Sequence, residues 1–129
     1  IGRNSPDTFI FHNSTNYKKI NYLKKLGIKN YKVQLDNEGN LNLNEVLLKA
    51  KKLNFNRIFI ESGAKLSINF LKKKLVDDLV LFMSNTKLKK AGKANVEKVL
   101  KSFLKKKKGK IENVYLFGDR MIKYKIKNV

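Results

Sequence analysis

The chain has 129 residues, 42% of them hydrophobic, and a formal charge of +20 from 30 lysines and arginines against 10 acids. That length suits one domain with a single core, and no apolar run approaches the ~18 residues that a membrane helix needs. With no cysteine and one histidine, His12, the composition speaks against a disulfide framework, a thiolate or histidine zinc site and a Ser-His-Asp triad.

Ile1–Pro6 is polar and Thr8–Phe11 is too short for the apolar region of a secretory leader, which together with the absence of cysteine fits a cytoplasmic protein. Thr8–Phe11 reads as a buried strand, and Asn13–Asn16 as a turn that starts a helix. Ile20, Leu23 and Leu26 recur at helical spacing, and Gly27 stands where a helix-ending glycine belongs. Tyr31–Leu35 alternates as a second strand. Asp36–Asn40 is a loop, and Asn42 or Asn44 caps the next helix. That helix carries Leu43, Val46, Leu47, Ala50 and Leu53 along one face.

Arg57–Glu61 is expected as the third strand, with Ile58-Phe59-Ile60 as an apolar run suited to burial on both faces. Ser62-Gly63 turns the chain, and Ala64–Lys74 runs as a helix with Leu66, Phe70 and Leu71 on one side. Leu79–Met83 is a fourth strand, Asn85–Asn95 a basic loop, and Val96, Val99, Leu100 and Phe103 mark a short helix. Ile111–Phe117 and Met121–Ile126 flank Gly118-Asp119 as a closing β-hairpin. The order β-α-β-α-β-α-β, then helix and hairpin, implies an α/β fold: a mixed, mostly parallel sheet with flanking helices and an antiparallel end. No linker divides it, so one folding unit is expected.

The strand–turn–helix at Arg57–Asp78 organises the rest. Glu61 would end its strand on the edge where open α/β sheets bind ligands. Gly63 lets the backbone turn tightly or approach a ligand, and the helix behind it offers unpaired N–H groups to a phosphate. The plainer reading is that Gly63 only closes the connection and Glu61 is a solvated acid or one placed for the helix dipole.

The residues Ile60-Glu61-Ser62-Gly63, Asn69-Phe70-Leu71 and Leu75-Val76-Asp77-Asp78-Leu79, with the ending Leu116-Phe117-Gly118-Asp119-Arg120-Met121, resemble the C-terminal reductase domain of the bifunctional riboflavin-biosynthesis deaminase–reductase. The resemblance follows the order of elements across nearly the whole chain. It implies a dihydrofolate-reductase-like fold and NADPH-dependent reduction of 5-amino-6-(5-phosphoribosylamino)uracil to its ribityl product. Glu61 matches the family's substrate-binding glutamate. Gly63, Ala64, Lys65, Leu66, Ser67, Ile68 and Asn69 match the loop and helix start that hold the cofactor. The family has Glu-Gly-Gly or Glu-Ala-Gly where this chain has Glu61-Ser62-Gly63. Nothing here matches the family's N-terminal reductase part or its zinc deaminase domain, so residues 1–129 are expected to be the C-terminal part of one reductase domain. The family further implies a homo-oligomer, a dimer. No side chain in this stretch need act as a nucleophile, since the hydride comes from the cofactor, so no catalytic residue is singled out; no metal ligand is expected.

Other residues carry weaker signals. His12 reads as a partly exposed histidine, Asp77-Asp78 as capping or contact acids rather than a proton-sharing pair, and Lys105–Lys108 as a solvated run. The alternatives are an inactive fragment and a basic nucleic-acid-binding module. The second predicts a clustered basic face with interleaved aromatics. Against it, 27 of the basic residues are lysine and they are dispersed, and the high lysine and asparagine content fits A+T-rich codons. A nucleic-acid partner is therefore not expected, and neither is a membrane.

Overall fold

A computed structural model of the chain describes residues 8–86, 97–112 and 117–127. The chain divides into two compact units, Ile1–Ile58 and Phe59–Val129.

In the first unit the order is β1 (Phe9–His12), α1 (Tyr17–Lys25), β2 (Lys29–Lys32) and α2 (Leu43–Lys52). β1 and β2 pair in parallel, Phe9 beside Lys29 through His12 beside Lys32, with α1 as the crossover. Asn16 caps α1, its side chain accepting from Lys19 N at 3.1 Å. Asn42 caps α2 by accepting from Glu45 N at 3.2 Å, and the Glu45 carboxylate in turn takes Gln34 N at 2.7 Å. The core here is Ile28, Val33, Leu43 and Ala50. Phe9 stacks on Tyr31 (centroids 6.1 Å apart) and meets Phe55 edge-on at 5.2 Å.

The second unit holds α3 (Ala64–Lys72), β3 (Asp78–Met83), α4 (Glu97–Leu104), β4 (Gly109–Glu112) and β5 (Arg120–Lys125). β3, β5 and β4 form an antiparallel sheet in that order. β5 matches the expected second hairpin arm, and β4 overlaps the expected first arm, Ile111–Phe117, at Ile111 and Glu112; residues 113–116 of that arm lie outside the described residues. Phe117 and Gly118, at φ 48° and 94°, both take left-handed backbone in the turn that precedes β5. Phe70 and Leu71 are the buried residues of α3.

Two expectations need correction. Arg57–Glu61 is not a strand: residues 55–63 carry no regular structure, and Ile58, Phe59 and Ile60 are 44%, 77% and 36% exposed. An apolar run signals burial, but a strand exists only where another strand takes its N–H and C=O groups, and none of the described strands does so. Nor is the pairing mostly parallel. Among the described residues there is one parallel ladder and there are two antiparallel ones. The α/β character itself holds. The second strand lies two residues earlier than its alternation suggests, because its four-residue partner β1 ends at His12. After Val33 N donates to His12 O (2.9 Å), the chain leaves, and Leu35 bridges to Leu41 instead. Most of the basic loop at 85–95 lies outside the described residues.

Candidate functional site

Glu61 lies in the irregular segment that precedes α3, and its side chain is exposed. Gly63 follows in extended backbone (φ −63°, ψ 165°) and forms the N-cap of α3, with Ser67 N donating to Gly63 O at 3.2 Å. No side chain caps this helix. The first N–H groups of an α-helix have no intrahelical acceptor, so those of Ala64, Lys65 and Leu66 face outward as donors at the positive end of the helix dipole. A Cβ built on Gly63 would meet nothing within 4 Å, so the space over this backbone is open to an approaching group.

Around that opening, Lys65 and Leu66 are exposed, and Ala64, Ser67, Ile68 and Asn69 are half-buried. The seven positions therefore form one turn-and-helix start, with Glu61 two residues upstream. Ser62 has a role that its type alone did not reveal. Its hydroxyl lies 2.9 Å from that of Ser67, and the Ser67 hydroxyl donates to Ser62 O at 3.2 Å. Each serine has one hydroxyl hydrogen, so the consistent pattern is Ser62 to Ser67 and Ser67 to Ser62 O. Ser67 thus presents lone pairs outward, not a donor, and the two serines brace the turn against the helix. Two serines five apart around a glycine were the available signal.

A family model, that of the RibD C-terminal domain, matches residues 2–114. The chain belongs to the RibD C-terminal domain family. No curated protein matches it significantly. RibD C-terminal domains are the reductase part of the riboflavin deaminase–reductase, a dihydrofolate-reductase-like family, so membership makes this an oxidoreductase-type domain of riboflavin biosynthesis.

The remaining candidates of this RibD-type domain fall into structural roles. His12 Nδ1 accepts from Ser14 N at 3.1 Å, and Ser14 Oγ accepts from Asn16 N at 3.1 Å, a relay that leads the chain into α1. Asp78 pairs with Lys125 at 3.2 Å and Asp77 with Lys127 at 3.3 Å, so each acid has its own lysine at one end of the antiparallel sheet. Lys107 Nζ donates to Ile126 O at 2.6 Å, while Lys105, Lys106 and Lys108 are exposed. Among the described residues no cluster of three or more His, Cys, Asp or Glu could hold a metal ion, and no helix is long and apolar enough to cross a membrane.

Proposed function

We propose that this chain carries the cofactor loop of an NADPH-dependent reductase acting on 5-amino-6-(5-phosphoribosylamino)uracil, and that it works as a homodimer. The observation that carries the reading is the uncapped start of α3 behind Gly63, in a chain of the RibD C-terminal family. Its residues fit a phosphate-bearing dinucleotide. Backbone donors, an open approach over Gly63 and the exposed Lys65 all favour an anion. When bound, NADPH supplies the hydride that reduces the ribosyl C1 in its open-chain or imine form. The chain's own part is to bind and to orient. Ala64, Lys65 and Leu66 N–H groups grip phosphate, and Ile68 and Asn69 form the next turn of the same wall. Glu61 accepts hydrogen bonds from substrate hydroxyl or amino groups and sets their position.

Calorimetric titration of NADPH into the chain and two variants tests this. Gly63→Val places methyl groups where a ligand would approach and is expected to abolish binding. Glu61→Ala is expected to leave NADPH affinity within about twofold, since Glu61 serves the substrate side. NADPH binding that survives Gly63→Val would overturn the assignment of this loop. Absence of NADPH binding in the unaltered chain would favour the inactive-fragment reading.

A further inference from the structure

The antiparallel sheet has two chemically unlike faces, and its register sorts the residues between them. Leu79, Tyr124 and Gly109 lie side by side, as do Leu81, Ile122 and Ile111, and these share one face. Val80, Lys123 and Lys110 lie side by side on the other. On that second face Asp78 and Lys125 flank them at one end, and Phe82, Met121 and Glu112 at the other. Whereas the first face exposes chiefly Ile111 (57%) and, at its end, Met83 beside Arg120, on this second face Lys110, Lys123 and Lys125 are exposed and Phe82 is 65% exposed.

Two features set it apart from an ordinary solvated face. Lys110 and Lys123 are direct cross-strand partners, an arrangement in which like charges repel. Beside them a large aromatic ring stands outward among charges. Lys123 and Lys125, two residues apart on the central strand, are separated by about 7 Å along it, a step comparable to that between successive phosphates of an extended nucleic-acid strand. Lys127 continues the row beyond the strand, and the bond from Lys107 Nζ to Ile126 O brings the Lys105–Lys108 run to the same end. The acids around the face, Asp77 and Asp78 at this end and Glu112 at the other, pair at 3.2–3.3 Å with Lys127, Lys125 and Lys110. These are exposed pairs of small net worth, which a phosphate can replace. Eight lysines stand against those three acids, so the face keeps a positive excess.

We propose that this face binds single-stranded RNA, with the β5 lysine row following the phosphates and Phe82 stacking on a base. Lysines alone would suit any polyanion. The ring singles out nucleic acid, because every base offers it a flat partner while polyphosphate and sulfated sugars offer none. One row of lysines follows one strand, and the single-stranded form in cells is chiefly RNA.

Fluorescence anisotropy of a labelled uridine dodecamer, titrated with the full chain over a range of salt, tests this. Lys123→Gln/Lys125→Gln is compared with Lys24→Gln/Lys25→Gln, an equal charge change on α1. The sheet pair is expected to lose at least tenfold more affinity than the α1 pair. It should also flatten the log affinity–log salt slope by about 1.4, at about 0.7 for each phosphate that the protein no longer neutralises. Phe82→Leu is expected to lose about tenfold on RNA and nothing on heparin, while Phe82→Tyr keeps RNA affinity. Circular dichroism verifies the fold of each variant, and the lysine pairs decide if Phe82→Leu fails to fold. Equal losses from the two lysine pairs would mean diffuse attraction to total charge and overturn the proposal. So would absence of RNA binding, or a Phe82→Leu chain that keeps RNA but loses self-association in sedimentation, which would make the face a subunit contact.

Discussion

Ser62 and Ser67 tie the turn to the helix at the candidate site. The hydroxyl of Ser62 reaches the hydroxyl of Ser67 at 2.9 Å, and Ser67 closes a small ring by donating to the Ser62 carbonyl at 3.2 Å. Each such bond contributes about 1 kcal/mol net. Ser67→Ala removes both bonds and is therefore expected to lower unfolding free energy by about 2 kcal/mol. Ser62→Ala should lose less, and the double variant less than the sum, because the two share one interaction. Urea unfolding of the four chains measures the cycle. Gly109 is a different kind of residue-scale constraint. A Cβ there would lie 2.6 Å from Ile122 Cγ2 and 2.7 Å from the Tyr124 ring, so the ring covers the glycine directly. Gly109→Ala is expected to cost about 1–3 kcal/mol, the range for overpacking. In a Tyr124→Ala background, where the ring is gone, the same change should cost clearly less.

At the scale of elements, three helices end in the same way, and only one announces it. Ile28 N, Phe55 N and Leu75 N reach back to Leu23, Ala50 and Phe70 carbonyls at 3.0–3.1 Å, each after a residue with positive φ: Gly27 (76°), Asn54 (67°) and Lys74 (56°). Glycine adopts that backbone freely, asparagine tolerates it, and for lysine it costs about 1 kcal/mol or more. Lys74→Gly is thus expected to stabilise the chain by about 1 kcal/mol and Asn54→Gly by less, read from the shift in urea midpoint. The sequence made Gly27 legible as a helix end and left the other two silent, because the left-handed residue is set by the helix closing on itself. The same contrast runs through the rest of the fold. α2 was legible from Asn42 and its apolar face, since a helix satisfies its own backbone. β3 and β5 were legible from the apolar runs Leu79–Met83 and Met121–Ile126. Arg57–Glu61 misleads because a strand's existence depends on a partner that no local pattern names. At the site, the Gly63–Asn69 turn and helix start were visible in order, while the Ser62–Ser67 link was not. The lysines of β5 were countable, but their alignment with Lys110 and Phe82 needed the register.

The molecule as a whole carries +20, thirty cations against ten acids. Charge of that size acts against the compact state through self-repulsion, which salt screens. The melting temperature is therefore expected to rise as ionic strength increases towards physiological values, where the Debye length is about 8 Å. Sulfate should raise it more than chloride at equal ionic strength. Thermal scans followed by circular dichroism measure both, and a melting temperature indifferent to salt would contradict the expectation. The irregular run at 55–63 has a consequence of another kind. Endoproteases need several residues of backbone free of regular hydrogen bonding, threaded extended through their cleft. Here such a stretch displays Phe59 at 77% exposure, at the boundary where the two compact units divide. Brief digestion with a protease that cuts after aromatic residues should nick the chain there early, releasing Ile1–Phe59 and Ile60–Val129 before α1 or α2 is attacked. The apolar run that promised a buried strand would then be an early site of hydrolysis.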